Sequence, residues 1–297
     1  MGIQKKKILV LGGSRFFGKR LVERLIQLGH QVLLFNRGNT PEIPNATRII
    51  GDRNSPSDLE SAAKQGPFDI IYDQICMDAF DAKLVADHLI DNCSHYIMTS
   101  TQSVYDEGAL HKEESITVEL DEPSKLIKSS QNYGLAKRQA DQFLLAHFLK
   151  KSTTLRIPIV LGINDYTKRL HWHIERNINK ETVHFPNLEA KINFIRSEDL
   201  VEKMILLGEI DYRGAINLCS EEPIVLKSLL KLIEAHTNQK FEFTNSPDNG
   251  AHSPFGITNT WTMDVSKAKS LELIPPPLED WLPPLISKLG DEIRKSL

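Results

Sequence analysis

The run Ile8-Leu9-Val10-Leu11-Gly12-Gly13-Ser14-Arg15-Phe16-Phe17-Gly18 constrains this chain more than any other stretch. Its four consecutive apolar residues, 8–11, suit a parallel strand buried on both faces. Two glycines then turn the chain. Leu21, Leu25 and Leu28 follow at helical spacing, with Val22 and Ile26 beside them. Strand, glycine turn and helix in that order open a dinucleotide-binding unit. Glycine suits the turn because left-handed backbone angles cost it little. It also lets a diphosphate approach the backbone and rest on the free N–H groups of the helix N-terminus. Between Gly12 and Gly18, Arg15 stands where a middle glycine is usual. An arginine there crowds a pyrophosphate or binds it directly as a planar, permanently charged donor.

The following stretches repeat the alternation. Residues 31–35 (QVLLF), 47–50 (TRII), 68–72 (FDIIY) and 95–98 (HYIM) read as strands. Helical patterns run through Leu59 and Ala62 and over residues 83–90. This predicts an α/β chain: a Rossmann-type, doubly wound parallel sheet with helices on both faces. The second strand ends at Asn36-Arg37-Gly38. In this fold an acidic residue there bonds the ribose hydroxyls of NAD, and a basic one accommodates the 2′-phosphate of NADP. Asn36 and Arg37, with Arg15 nearby, favour NADP; taken alone, Arg37 is equally a surface turn residue. Asp52, after the third strand, is placed to accept from an adenine amino group, although Gly51-Asp52 is also ordinary turn chemistry.

Residues 131–148 read as a helix on which Tyr133 and Lys137, four apart, share a face. An ammonium beside a phenol stabilises the phenolate and makes the tyrosine a usable acid or base near neutral pH. Lys137 also reaches a nicotinamide ribose, and Thr101, leaving the fifth strand, holds the substrate oxygen that gains or loses the proton. Without the preceding motifs, the pair is equally an ordinary helix-surface pair.

Bulk properties narrow the class. The chain has 297 residues, 40% apolar and 25% charged, with a formal net charge of −3, so no global basic field recruits nucleic acid. Cys76, Cys93 and Cys219 are scattered, which signals neither a disulfide framework nor a zinc site. His171 and His173, two apart, point to different faces of a helix, so no metal site is expected. The apolar run after the N-terminal lysines is too short for a signal or a span, which predicts a cytoplasmic protein. Glu221 to His236 reads as an amphipathic helix, residues 245–253 as a loop, and residues 278–295 as a last helix carrying Trp281 in the core.

The ordered set of glycine turn, Thr101 and Tyr133-x-x-x-Lys137 resembles the extended short-chain dehydrogenase/reductases, the NAD-dependent epimerase/dehydratase family. Gly51-Asp52-Arg53 is similar to that family's adenine-binding segment, and residues 99–105 (TSTQSVY) to its Ser-Ser-x-x-Val-Tyr segment. Leu155-Arg156-Ile157-Pro158 resembles its segment after the sixth strand, residues 194–200 its Phe-Ile-x-Val-x-Asp-Leu, and residues 215–218 its late Asn-bearing strand. GGSRFFG, Asn36-Arg37-Gly38 and Asp165-Tyr166-Thr167-Lys168-Arg169 resemble an atypical branch that includes the chloroplast stem-loop-binding proteins.

The resemblance implies Tyr133 as general acid/base, Lys137 as its partner and Thr101 as the group that orients the substrate oxygen. It implies phosphate-side cofactor contacts at Gly12, Ser14, Arg15, Phe16, Phe17 and Gly18, and adenosine-side contacts at Asn36, Arg37, Asp52 and Arg53. Thr99, Tyr133, Lys137 and Pro158 complete the cofactor set. A nucleotide domain would take residues 1–162 and 193–219. A smaller C-terminal α/β substrate domain would take 163–192 and 220–297, with Arg169 and Arg176 available to a substrate phosphate. The implied activity is hydride transfer at a hydroxyl or carbonyl carbon of a sugar-like or other small polar substrate, by an epimerase, dehydratase or reductase, and the resemblance admits a homodimer, since dimerisation is common in the family. Ile159-Val160-Leu161-Gly162 replaces the family's Asn-Val-Tyr-Gly and weakens a default nucleotide-sugar substrate. The same resemblance admits an RNA-associated or NADPH-sensing protein with little catalysis. The acidic balance argues against RNA.

Overall fold

Apolar runs become parallel strands in a computed structural model that describes residues 4–118, 122–246 and 250–296. The chain opens with β1 (Lys7–Leu11), α1 (Phe16–Gln27), β2 (Gln31–Asn36), β3 (Thr47–Ile50), α2 (Pro56–Ala63), β4 (Phe68–Asp73) and α3 (Ala79–His88). It continues with β5 (Cys93–Thr101), β6 (Gly108–His111), α4 (Tyr133–Phe148), β7 (Ser152–Ile157), β8 (Ile159–Leu161) and α5 (Arg169–Asn179). Then come β9 (Lys191–Ile192), β10 (Phe194–Arg196), α6 (Ser197–Glu209), β11 (Gly214–Asn217), β12 (Ile224–Val225) and α7 (Leu226–Thr237). The chain closes with β13 (Trp261–Met263), α8 (Ser266–Ser270) and α9 (Leu278–Ser296).

Seven strands form one sheet in the order β11-β7-β5-β4-β1-β2-β3. All its pairings are parallel. Strand β1 shows why its sequence does not alternate. Ile8 and Val10 enter a core with Leu21, Val22 and Met204 on one face, whereas Leu9 and Leu11 enter a core with Leu59, Ala82 and Leu144 on the other. All four are fully buried, and each such side chain contributes roughly 1.5–3 kcal/mol. A third core gathers Leu170, Ile174, Leu229, Ile233, Trp281 and Leu285 from α5, α7 and α9. Met263, Val265, Ala268 and Leu273, late in the chain, pack instead into the first core.

Several local expectations shift. Helix α3 starts at Ala79, before the predicted residue 83, because the Asp78 carboxylate accepts from the Phe80 and Asp81 N–H groups and caps it. Leu155, Arg156 and Ile157 lie within β7 rather than after it, and α7 begins at Leu226 because β12 uses the residues before it. Residues 247–249 of the predicted loop lie outside the described residues. Among the described residues, no helix is long and apolar enough to cross a membrane.

Candidate active site

The carboxyl ends of β1, β2, β3 and β4 converge on a cleft of about 460 Å3. Its walls are residues 12–17, residues 35–37 with Asn39 and Thr40, residues 51–54, Gln74 with Ile75, and Tyr166 from beyond β8. In open parallel sheets this is the ligand crevice, where the strand order reverses. Gly12 has φ +85°, and a Cβ there would lie 2.6 Å from Ile75 Cγ2. A Cβ at Gly18 would lie 2.9 Å from the Gly13 Cα. No side chain caps α1, so its first-turn N–H groups are available to a ligand. Gln74 Nε2 is also buried without a partner at this wall. Close backbone approach, free N–H groups and an unused amide donor together fit a dinucleotide.

Asn36 ties the loops together. Its Nδ2 donates to Ser14 Oγ at 3.0 Å, and its Oδ1 accepts from Gly38 N at 2.9 Å and from Arg48 Nε at 3.3 Å. Arg48 also donates to the Thr40 carbonyl and so shapes the rim. Arg37 is exposed on that rim, with no ion pair among the described residues. Asp52 Oδ1 accepts from Asn54 N and Nδ2 at 2.9 and 3.1 Å, which leaves its other oxygen for a ligand.

Arg53 lines the cleft, but its guanidinium turns inward. Nη1 donates to both Asp73 carboxylate oxygens at 3.0 Å, Nη2 donates to the Asp81 carbonyl at 3.0 Å, and Nε lies 3.5 Å from Asp81 Oδ1. Tyr96 Oη donates to the same Asp73 at 2.7 Å. Burial opposes the arginine's charge, but the facing Asp73 and Asp81 carboxylates outweigh it and raise its pKa. The guanidinium therefore supports the cleft floor, its charge balanced by Asp73 and Asp81, at a residue that also lines the cleft.

Asn132 caps α4 by accepting from Leu135 N at 3.0 Å, which sets Tyr133 at the first helical position, 43% exposed. One turn on, Lys137 is buried. Its Nζ donates to the carbonyls of Cys76 and Thr99, each at 2.7 Å. Thr101 Oγ1 accepts from Ser103 N at 3.1 Å and donates to Ser103 Oγ at 3.3 Å, capping a short turn at Gln102–Val104. The first turn of α4 rests on that turn, since a Cβ at Gly134 would collide with the Ser103 carbonyl. Lys137 is thus tied to the strand that carries Thr99 and Thr101, and these three residues and Tyr133 lie outside the cleft's lining. Pro158 is buried between β7 and β8, outside the cleft walls.

The sequence pattern of the NAD dependent epimerase/dehydratase family matches residues 8–219. The chain belongs to this family. It is 32% identical over 116 residues to the chloroplast stem-loop binding protein of 41 kDa b of Arabidopsis thaliana, covering 34% of this chain and 30% of that one. It is 26% identical over 181 residues to a decarboxylating sterol-4-alpha-carboxylate 3-dehydrogenase of Dictyostelium discoideum, covering 54% and 55%. The matches therefore span about a third and about half of those relatives' lengths. Its fold is that of the UDP-glucose 4-epimerase of Thermotoga maritima, with a TM-score of 0.74, 18% identity and 98% and 99% of the two chains covered.

Several epimerase/dehydratase-like motif residues prove to be interior struts. Arg156 is 1% exposed. It donates to Asp141 Oδ2 at 2.7 Å, Tyr105 Oη at 2.7 Å and the Glu113 carbonyl at 3.0 Å. Tyr105 Oη in turn donates to Asn217 Oδ1 at 2.8 Å, and Asn217 Nδ2 donates to the carbonyls of His111 and Asp264. Arg196 donates to both Asp199 oxygens at 2.8 Å at the start of α6. The bonds of Arg156, Tyr105 and Asn217 tie α4, β6, β7, β11 and the residue after β13 together.

The two arginines named for substrate part company. Arg176 donates to the Thr182 and Gly250 carbonyls at 2.8 and 3.0 Å and packs over Trp172, so its guanidinium holds the third core together. Arg169 opens α5 and makes no ion pair among the described residues. His173 is fully buried against Phe255, bonded to the Arg169 carbonyl and Ser253 Oγ, and burial drops its pKa to about 3. Gln74, Arg48 and Tyr166 went unassigned in sequence. For Gln74 a signal existed: it directly follows β4 at the sheet's carboxyl edge.

Proposed function

We propose that this chain is an NAD(P)-dependent epimerase, dehydratase or reductase that acts at a hydroxyl or carbonyl carbon of a small polar, sugar-like substrate, with NADP preferred to NAD. The observation that carries this is the anchored Lys137, held by two carbonyls one helical turn from the exposed Tyr133. In this reading Tyr133 exchanges a proton with the substrate oxygen, Thr101 orients that oxygen, and Lys137 fixes the helix that carries Tyr133. Bound nicotinamide would supply the acceptor or donor of the hydride. Residues 12–18 would cradle the diphosphate, Asn36 and Asp52 would hold the adenosine, and the unpaired Arg37 would take the 2′-phosphate. Arg169 serves the substrate, and Arg176 is left out. Residues 1–162 and 193–219 would form the nucleotide domain, joined by 263–274, whose side chains share its core.

The test is a fluorescence titration with NADPH and NADH, followed by turnover assays with Tyr133→Phe. Support is tight NADPH binding, weaker NADH binding, a preference that narrows in Arg37→Ala, and a Tyr133→Phe variant that binds cofactor without turning over. Failure to bind either cofactor overturns the reading.

A further inference from the structure

Tyr166 is an exposed aromatic at the mouth of the cleft, in a place that packing does not explain. It is 65% exposed, yet its turn is rigidly built. Asp165 beside it is only 4% exposed and accepts from Thr167 N at 2.9 Å and Thr167 Oγ1 at 2.6 Å. Lys168 then takes a left-handed backbone, φ +52°, a conformation that non-glycine residues rarely hold without support. The turn therefore presents Tyr166 outward. What its ring meets is Arg15, whose guanidinium lies 5.9 Å from the ring centroid. Arg15 is exposed and is paired with no carboxylate among the described residues. Its cation stands uncompensated in the glycine turn, beside the uncapped first turn of α1. The two walls also touch behind the pair, because a Cβ on Gly162 would lie 3.0 Å from the Phe16 ring.

We infer that Arg15 and Tyr166 form a two-sided clamp on the diphosphate of the bound dinucleotide. The inference rests on the cofactor reading above. Arg15 binds the diphosphate with charge-assisted hydrogen bonds. Tyr166 covers the guanidinium from the other wall, adds its ring's attraction for the cation and excludes water from the ion pair, which strengthens it. The arginine that replaces the middle glycine is then a ligand, and Tyr166 is its partner. Occupancy of the nucleotide cleft is thereby tied to the segment that leads into α5.

The probe is 2′-phospho-ADP-ribose, which carries the diphosphate without nicotinamide. The control is adenosine 2′-monophosphate, which lacks the diphosphate bridge. Binding is read by calorimetry on the full chain, with melting curves to verify folding. Tyr166→Ala should weaken the probe about five- to tenfold, and Arg15→Ala about ten- to a hundredfold. The double variant should match Arg15→Ala within about twofold, because Tyr166 acts through Arg15. The control ligand should bind all forms alike. Wild-type affinity in Tyr166→Ala, additive losses, or an equal loss for the control would each overturn the clamp and leave the cofactor reading standing. No binding of the probe to the wild type would overturn both.

Discussion

Lys137 Nζ, on α4, donates to the Thr99 carbonyl on β5 at 2.7 Å, and to Cys76 at the same distance. One buried cation thus pins the helix that carries Tyr133 to the strand that carries Thr101. Replacing it with Met removes that tie and leaves two carbonyls unpaired. Turnover should fall about 10²- to 10⁴-fold, and stability by roughly 1–3 kcal/mol. Steady-state assays and urea unfolding check both, and near-normal kcat in Lys137→Met would remove Lys137 from the mechanism.

The Arg53–Asp73 pair makes a different demand. Asp73 is fully buried and accepts from Arg53, from Tyr96 Oη and from the Ile75 N–H. Arg53→Met removes the cation that balances that carboxylate and should cost about 3–5 kcal/mol. Adding Asp73→Asn should recover part of the loss, since the buried charge is then gone. The comparison is of urea midpoints at pH 7, and a change under about 1 kcal/mol in the single variant would show that the pair does not bear on folding.

Gly134 lets the first turn of α4 rest on the turn that follows Thr101. With a methyl group colliding with the Ser103 carbonyl, the first turn of α4 must lift. Gly134→Ala should lower kcat by about tenfold or more through misplacement while cofactor affinity stays near wild type. The kcat-against-Kd split is the measurement. Equal losses in both, or in neither, would contradict the geometry.

Two imidazoles make stability fall in acid. His95, 3% exposed and 2.9 Å from Thr153 Oγ1, has its pKa lowered to about 3 by burial, with Arg213 and Lys6 adding to the effect. His173 is lowered to about 3 by burial. In the unfolded chain each titrates near the ordinary value of 6.5. Their contribution is therefore complete above that pH and is lost as pH falls from there toward 3, by roughly 1.4 kcal/mol per pH unit for each. His95→Gln should flatten the slope of stability between pH 6 and 4 by about that amount. Urea titrations at several pH values read it directly, and unchanged slopes would mean that His95 is already protonated in the folded state.

The sequence by itself determined the parallel sheet, the glycine turn and the helix that carries Tyr133 and Lys137. Those features are local: an unbroken apolar run, a backbone that only glycine tolerates, and a four-residue helical spacing each act within one turn or strand. Tertiary structure alone decided where the long polar side chains go. Arg53 is bound by Asp73, 20 residues on. Arg156 is consumed by Tyr105, 51 residues away. Arg176 closes on Gly250, 74 residues away. Tyr166 becomes part of the cleft only because its turn meets Arg15 across the fold. A guanidinium or a ring takes whichever partner the folded chain brings within a few ångströms, and no local pattern encodes that partner.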